Sequence, residues 1–186
     1  MFVRTKLIKG NNYAYLVENT WTLKGSRQKT VAYLGKVCEL EKARDIAFEE
    51  YIKKQYLQDI DSYLEKSNPK SIIYDLLSCE LMKHGFTETL TKHVVIKEHL
   101  VSDLIKLKFF KNSNIEANME IVLKLNHEYM CPFTIKRLLE LNLDCDEETA
   151  GRKLAEHIVS AGISLDPEIF IALFEKVYQN EKLVIV

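Results

Sequence analysis

Residues 1–36, MFVRTKLIKGNNYAYLVENTWTLKGSRQKTVAYLGK, decide how the rest of the chain is read. Three runs suited to strands, Phe2 to Ile8, Tyr13 to Thr20 and Arg27 to Leu34, are separated by Lys9-Gly10-Asn11-Asn12 and Leu23-Lys24-Gly25-Ser26. Glycine and asparagine take positive φ at little steric cost, as tight hairpins require, so the pattern predicts a three-stranded antiparallel sheet. Side chains alternate across a strand. By parity, Phe2, Arg4, Lys6, Tyr13, Tyr15, Arg27, Lys29, Val31 and Tyr33 share one face, which is cationic and aromatic. Val3, Leu7, Ala14, Leu16, Ala32 and Leu34 share the other, the predicted core side.

Charge separates this segment from the remainder. Residues 1–36 hold seven lysines and arginines against Glu18 alone, a net +6, while the whole chain is −1, so residues 37–186 carry −7. Such asymmetry points to a polyanion at one end. Arg4, Lys6, Lys9, Arg27, Lys29 and Lys36 are read as phosphate contacts, with Tyr13, Tyr15 and Tyr33 packing on sugars or bases. Five such contacts would weaken duplex binding by roughly three orders of magnitude for a fivefold rise in salt. The competing reading leaves this face solvated or packed on the acidic half. Asn11 and Asn12 are read as turn formers ahead of base readers.

The totals bound the rest. At 186 residues, 47% hydrophobic and 28% charged with only three prolines, the chain can bury one substantial core or two small ones. No apolar run approaches the roughly 20 residues that cross a bilayer, and the start lacks an apolar leader segment, so a cytoplasmic location is expected. Cys38, Cys79, Cys131 and Cys145 form no CxxC pair and read as small buried hydrophobes; no metal or cofactor is predicted. The histidines show no HxxxH or HExxH spacing, and Cys131 with His127 lacks an orienting third group. No catalytic residue and no enzyme activity are predicted. Asp144 to Glu148 reads as a helix start, not a calcium loop.

Helical spacing begins at Glu39 and predicts one helix to about Lys66, ended by Ser67-Asn68-Pro69. A helix from Ser71 to His84 follows, with Gly85 as its C-cap. From His93 to Asn126 three runs, 93–97, 105–109 and 121–125, alternate as strands do, while Leu100, Leu104 and Leu107 also fit a helix; a small second sheet with a turn at Lys111-Asn112-Ser113-Asn114 is the favoured reading. Pro132, Asp144 or Asp146, and Asp166-Pro167 open three closing helices, and Leu183-Val184-Ile185-Val186 reads as an edge strand. The predicted fold is α+β: a three-stranded sheet packed on a long helix (1–66), then a mainly helical domain (67–186) with a small second sheet. Phe170, Leu173, Phe174 and Val177 are a candidate surface for a protein partner or a second copy, second to an internal core face.

FVRTKLIKGNNYAYLVENTW, followed by RQKTVAYLGK, resembles the segment that precedes the catalytic domain in insertion-sequence transposases of the DDE class. IIYDLLSCELMKHGFTETL is similar to the helix that comes next in those proteins, so the likeness covers about residues 2–90. The sheet-plus-helix outline is also similar to the arm-site DNA-binding domains of tyrosine integrases. The resemblance implies DNA binding. It does not carry nuclease chemistry, because about 96 residues remain where a domain with three metal-binding carboxylates would be needed. The stretch from EIVLKLNHEYMCPFTIKRLLELN onward is similar to small uncharacterised archaeal proteins and implies no activity. A DNA-binding protein is the expectation, with an RNA-binding or ribosome-associated protein, or a protein adaptor, as alternatives.

Overall fold

A computed structural model describes residues 1–23, 25–111 and 119–184. Strand β1 (Phe2–Ile8) pairs antiparallel with β2 (Asn11–Thr22), and Ile8 opposite Asn11 leaves Lys9 and Gly10 as a two-residue turn. Both turn residues have positive φ, 49° and 78°, the geometry whose twist matches a hairpin. The Asn11 amide donates to the Lys9 carbonyl at 3.3 Å, so this asparagine serves the turn. Strand β3 (Gly25–Glu39) pairs antiparallel with β2 and then runs on, well past the predicted Leu34.

That extension overturns the predicted three-stranded sheet on a helix. The remaining strands are β4 (Thr87–Glu88), β5 (Val94–Lys97), β6 (Leu100–Asp103), β7 (Lys108–Lys111), β8 (Met119–Leu125) and β9 (Glu128–Met130). Lys36 to Glu39 of β3 pair in parallel with Ile121 to Lys124 of β8. Among the described residues the result is one nine-stranded mixed sheet, ordered β1-β2-β3-β8-β7-β6-β5-β4, with β9 on β8. The small second sheet therefore joins the first. Val101 and Ser102, which the leucine spacing hid, lie in β6; the turn expected at Lys111-Asn112-Ser113-Asn114 falls outside the described residues from Asn112 on.

Residues 40–47 are not helical. Their backbone is claimed by other partners: the Leu40 N–H donates to the Lys124 carbonyl at 3.1 Å, and those of Ala43 and Arg44 donate to the Lys83 carbonyl at 2.8 and 3.1 Å. Helix α1 (Phe48–Tyr56) starts only after that, and Leu57 in left-handed geometry (φ 55°) ends it. Asp59 then caps α2 (Ile60–Lys66) by accepting from the Ser62 N–H at 2.8 Å. Tertiary hydrogen bonds outweigh a helix propensity worth tenths of a kcal/mol per residue, about 0.7 at most.

The later helices follow their sequence signals. Asn68 caps α3 (Pro69–Lys83), with proline at the first helical position. Pro132 opens α4 (Pro132–Leu139), Asp146 caps α5 (Glu147–Ser160), and Pro167 opens α6 (Pro167–Val184). Leu183 and Val184 continue this helix and form no edge strand; Ile185 and Val186 lie outside the described residues. Ten residues of α3 are buried, which makes it the centre of the main core with Ile121, Leu123, Leu125 and Met130 of the sheet. Leu173 is fully buried and Phe170, Phe174 and Val177 pack against this core, so the face weighed as a partner surface is internal.

Two buried carboxylates tie α3 to its surroundings. Asp75 accepts from the Tyr56 hydroxyl at 2.8 Å and from the Tyr63 hydroxyl, drawing α1 and α2 onto α3. Glu80 lies 3.3 Å from His84 Nε2 and accepts from Lys83 Nζ at 3.2 Å, Asn126 Nδ2 at 2.7 Å and the Ser164 N–H at 3.2 Å. One carboxylate thus satisfies donors from three separate segments. A buried charge is tolerable only with such pairing.

Candidate nucleic-acid interface

Residues directly across an antiparallel pair share a face, so the register assigns the basic groups. Arg4 stands opposite Tyr15, Lys6 opposite Tyr13, Tyr15 opposite Tyr33, and Tyr13 opposite Lys36. These residues form one patch. Lys6 Nζ sits 5.1 Å from the centre of the Tyr15 ring, and the Tyr33 ring lies 5.5 Å from Tyr15 and 6.3 Å from Tyr13. A cation over an exposed ring contributes about 0.5–1 kcal/mol, enough to pre-order the lysine. Burial, then the nearby Tyr13, Tyr15 and Glu120, push the Tyr33 phenol above its usual range, so it keeps its proton and can donate.

Arg27 and Lys29 are not on that face. The pairing shifts twice, between Ala14 and Tyr15 and between Leu16 and Val17, and each shift inserts one extra residue in β3. Beyond the second, Arg27 stands opposite Thr20 and Lys29 opposite Glu18, on the side of Leu16 and Ala14. Lys29 Nζ reaches Glu18 at 3.7 Å, an exposed pair worth little. Val31 is the extra residue at that shift and is exposed. Lys9 is in the β1–β2 turn, outside the strand pairs that carry the two groups.

The side of Ala14 is a core face only near the root. Ala14, Val122 and Cys131 form a small core with Val3, Leu34, Val37, Tyr129 and Phe133 around it, so β9 and the start of α4 cover this sheet, not α1. Leu7 is 71% exposed, and Ala32 is exposed too. The Cys131 thiol is pushed up by burial and sits at the α4 cap against Thr134 Oγ1, so it is a packing group.

What the sequence reading missed is an arm. Strand β1 covers β2 only as far as Val17. Past it, the five pairs from Glu18–Lys29 to Thr22–Gly25 form a two-stranded ribbon projecting about 17 Å. Described residues from 19 to 33 are all exposed. A lone hairpin is at best marginally stable, and this one buries nothing, so it is not there for the core. It carries Asn19 and Gln28 paired on one side and Arg27, Thr20 and Lys29 on the other, with Trp21 (85% exposed) near its end. The Arg4 guanidinium donates to the Gln28 side-chain carbonyl, linking patch to arm. Read as Phe2 to Ile8 and Tyr13 to Thr20, the first two strands differ little in length, and only the observed bounds, Phe2–Ile8 against Asn11–Thr22, reveal the overhang.

A second polar cluster has a different character. Ser78 Oγ lies 3.2 Å and Asp75 Oδ1 3.9 Å from the same nitrogen, His93 Nδ1. A nucleophile and an orienting acid must sit on opposite ring nitrogens, so this is a packing network and no relay. Burial, outweighing the attraction of Asp75, holds the His93 pKa below its usual value. Among the described residues no group of three histidines, cysteines or acids is placed to hold a metal, and no helix is long and apolar enough to cross a membrane. No family model, no curated protein and no solved structure matches the chain.

Proposed function

We propose that the chain binds nucleic acid, duplex DNA in preference to RNA, through the ribbon and the basic-aromatic patch at its root, without nuclease activity. The observation that carries this reading is the ribbon formed by the pairs from Glu18–Lys29 to Thr22–Gly25, whose described residues from Asn19 to Lys29 are all exposed and which bears arginine, lysine, asparagine and glutamine. The major groove of B-form DNA, about 12 Å wide, admits a two-stranded ribbon. Inside a groove both faces of the ribbon meet a wall, so the split of Arg27 and Lys29 from Arg4 and Lys6 does not divide the site. A-form RNA has a deep, narrow major groove that side chains cannot read, which favours DNA. Arg27, Asn19 and Gln28 are the side-chain types that hydrogen-bond base edges, while Arg4, Lys6 and Lys36 suit phosphates beside the groove. The likeness of residues 2–36 to the segment ahead of transposase catalytic domains agrees with this.

The test is an anisotropy titration of labelled duplex DNA and of a structured RNA at fixed salt, with wild type and the Arg27→Ala/Lys29→Ala variant. Tighter binding of DNA, weakened by roughly tenfold or more in the variant, supports the reading. Tighter binding of RNA moves the chain to the RNA-binding class, and no binding to either leaves the basic patch to an acidic protein.

A further inference from the structure

We propose that Trp21 is a base-contacting wedge, its indole stacking on a base at a locally opened step of the bound duplex. The inference rests on the nucleic-acid reading above and specifies how that site engages its ligand.

Trp21 is 85% exposed although it lies within β2, where backbone pairing holds it in place. Its cross-strand partner is Ser26, too small to cover the ring. The indole is therefore presented on a supported strand, not tucked away. Both extra residues, Leu34 and Val31, lie in β3 and β2 skips none, so Trp21 keeps the face of Tyr13, Tyr15 and Asn19 and extends one aromatic line from patch to arm. From Tyr15 to Trp21 is six residues, about 20 Å along a strand. Six base steps at about 3.4 Å span the same length, so both can lie on one duplex.

The surroundings identify the occupant. An apolar protein surface laid on this face would have to accommodate Arg4 and Lys6 as well as the ring, whereas nucleic acid offers a phosphate for each cation and a π-face for the indole. Large side chains that enter a base step partly unstack it, and the cost is least where pairing is already broken.

The sequence holds one tryptophan, so intrinsic emission reports this residue alone. The full chain is titrated with a labelled duplex of about 20 base pairs and with the same duplex carrying a central mismatch, following label anisotropy and tryptophan emission together. The expected result is emission falling by about half or more on binding, and roughly tenfold tighter binding to the mismatched duplex. Trp21→Ala abolishes that preference while Trp21→Phe keeps part of it; circular dichroism confirms that both variants fold. Unchanged emission with binding intact, or a mismatch preference that survives in Trp21→Ala, overturns the wedge and leaves the binding reading standing. Absence of binding to either duplex overturns both. Emission that shifts to shorter wavelength with protein concentration, without DNA, assigns the indole to a second copy and also overturns the wedge.

Discussion

Tyr15 stands directly across from Tyr33, with ring centroids 5.5 Å apart, although two residues earlier Tyr13 stands across from Lys36. Two steps along β2 match three along β3, so Leu34 is an extra residue, and Val31 is another. These two bulges distribute the positive charge between the faces of the sheet. They gather Arg4, Lys6, Tyr13, Tyr15, Tyr33 and Lys36 at the root and send Arg27 and Lys29 to the far side of the ribbon.

The parallel junction just after the first bulge depends on a glycine. Gly35 has φ +129°, and an added Cβ would lie 2.7 Å from the Glu120 carbonyl oxygen. Gly35→Ala is predicted to destabilise the fold by about 3 kcal/mol or more, from backbone strain and the clash together. Gly10 has φ +78° but open space around it, so Gly10→Ala should cost only about 1 kcal/mol. Urea midpoints of the two variants check the order; equal losses would place the close approach elsewhere.

Asp75 holds two helices by their tyrosines. Asp75→Ala leaves the Tyr63 hydroxyl buried without its acceptor and should cost about 3 kcal/mol or more, while Tyr56→Phe costs about 1 kcal/mol. A double-variant cycle between Asp75→Ala and Tyr63→Phe should show strong coupling. Additive losses would remove the network from the account.

Acid sensitivity is predicted at Glu80. Burial alone would raise its pKa, but His84, Lys83, Asn126 and the Ser164 N–H together hold it below the usual carboxylate value. A folded pKa below the unfolded one stabilises the protein above the unfolded value, about 4.3, and that contribution is lost as pH falls through the folded one. Wild type should therefore lose stability steeply below about pH 4.5, and Glu80→Gln, less stable near neutrality, should show a flatter decline over the same window. Thermal midpoints across pH decide it; parallel curves would contradict the assignment.

Changes on the arm should leave stability alone. Since Asn19, Trp21, Arg27 and Gln28 are exposed, their alanine variants should unfold within about 0.5 kcal/mol of wild type, even where binding is lost. A larger loss would show that the ribbon serves the fold.

Much of the outline was legible. Glycine turns, Asn68-Pro69, Asp146 and Pro167 each mark an element boundary by a local mechanism that outlives its context. The rest was not local. Leu40, Ala43 and Ala47 keep helical spacing, yet carbonyls of Lys124 and Lys83 take the N–H groups of this segment. The bulges at Leu34 and Val31 have no residue signature, so strict parity put Arg27 and Lys29 on the wrong face. The basic residues themselves were readable from charge, but the arm that carries two of them emerges only once the strands are paired.

The most direct test of the central claim is the salt dependence of duplex DNA binding by wild type and by Arg27→Ala/Lys29→Ala. Each phosphate contact contributes about 0.9 to the slope of log K against log salt. The account predicts a wild-type slope near −4, reduced by about 2 in the variant if both side chains meet phosphates and by about 1 if Arg27 reads a base edge. A slope near zero, or one that the double variant leaves unchanged, would contradict it.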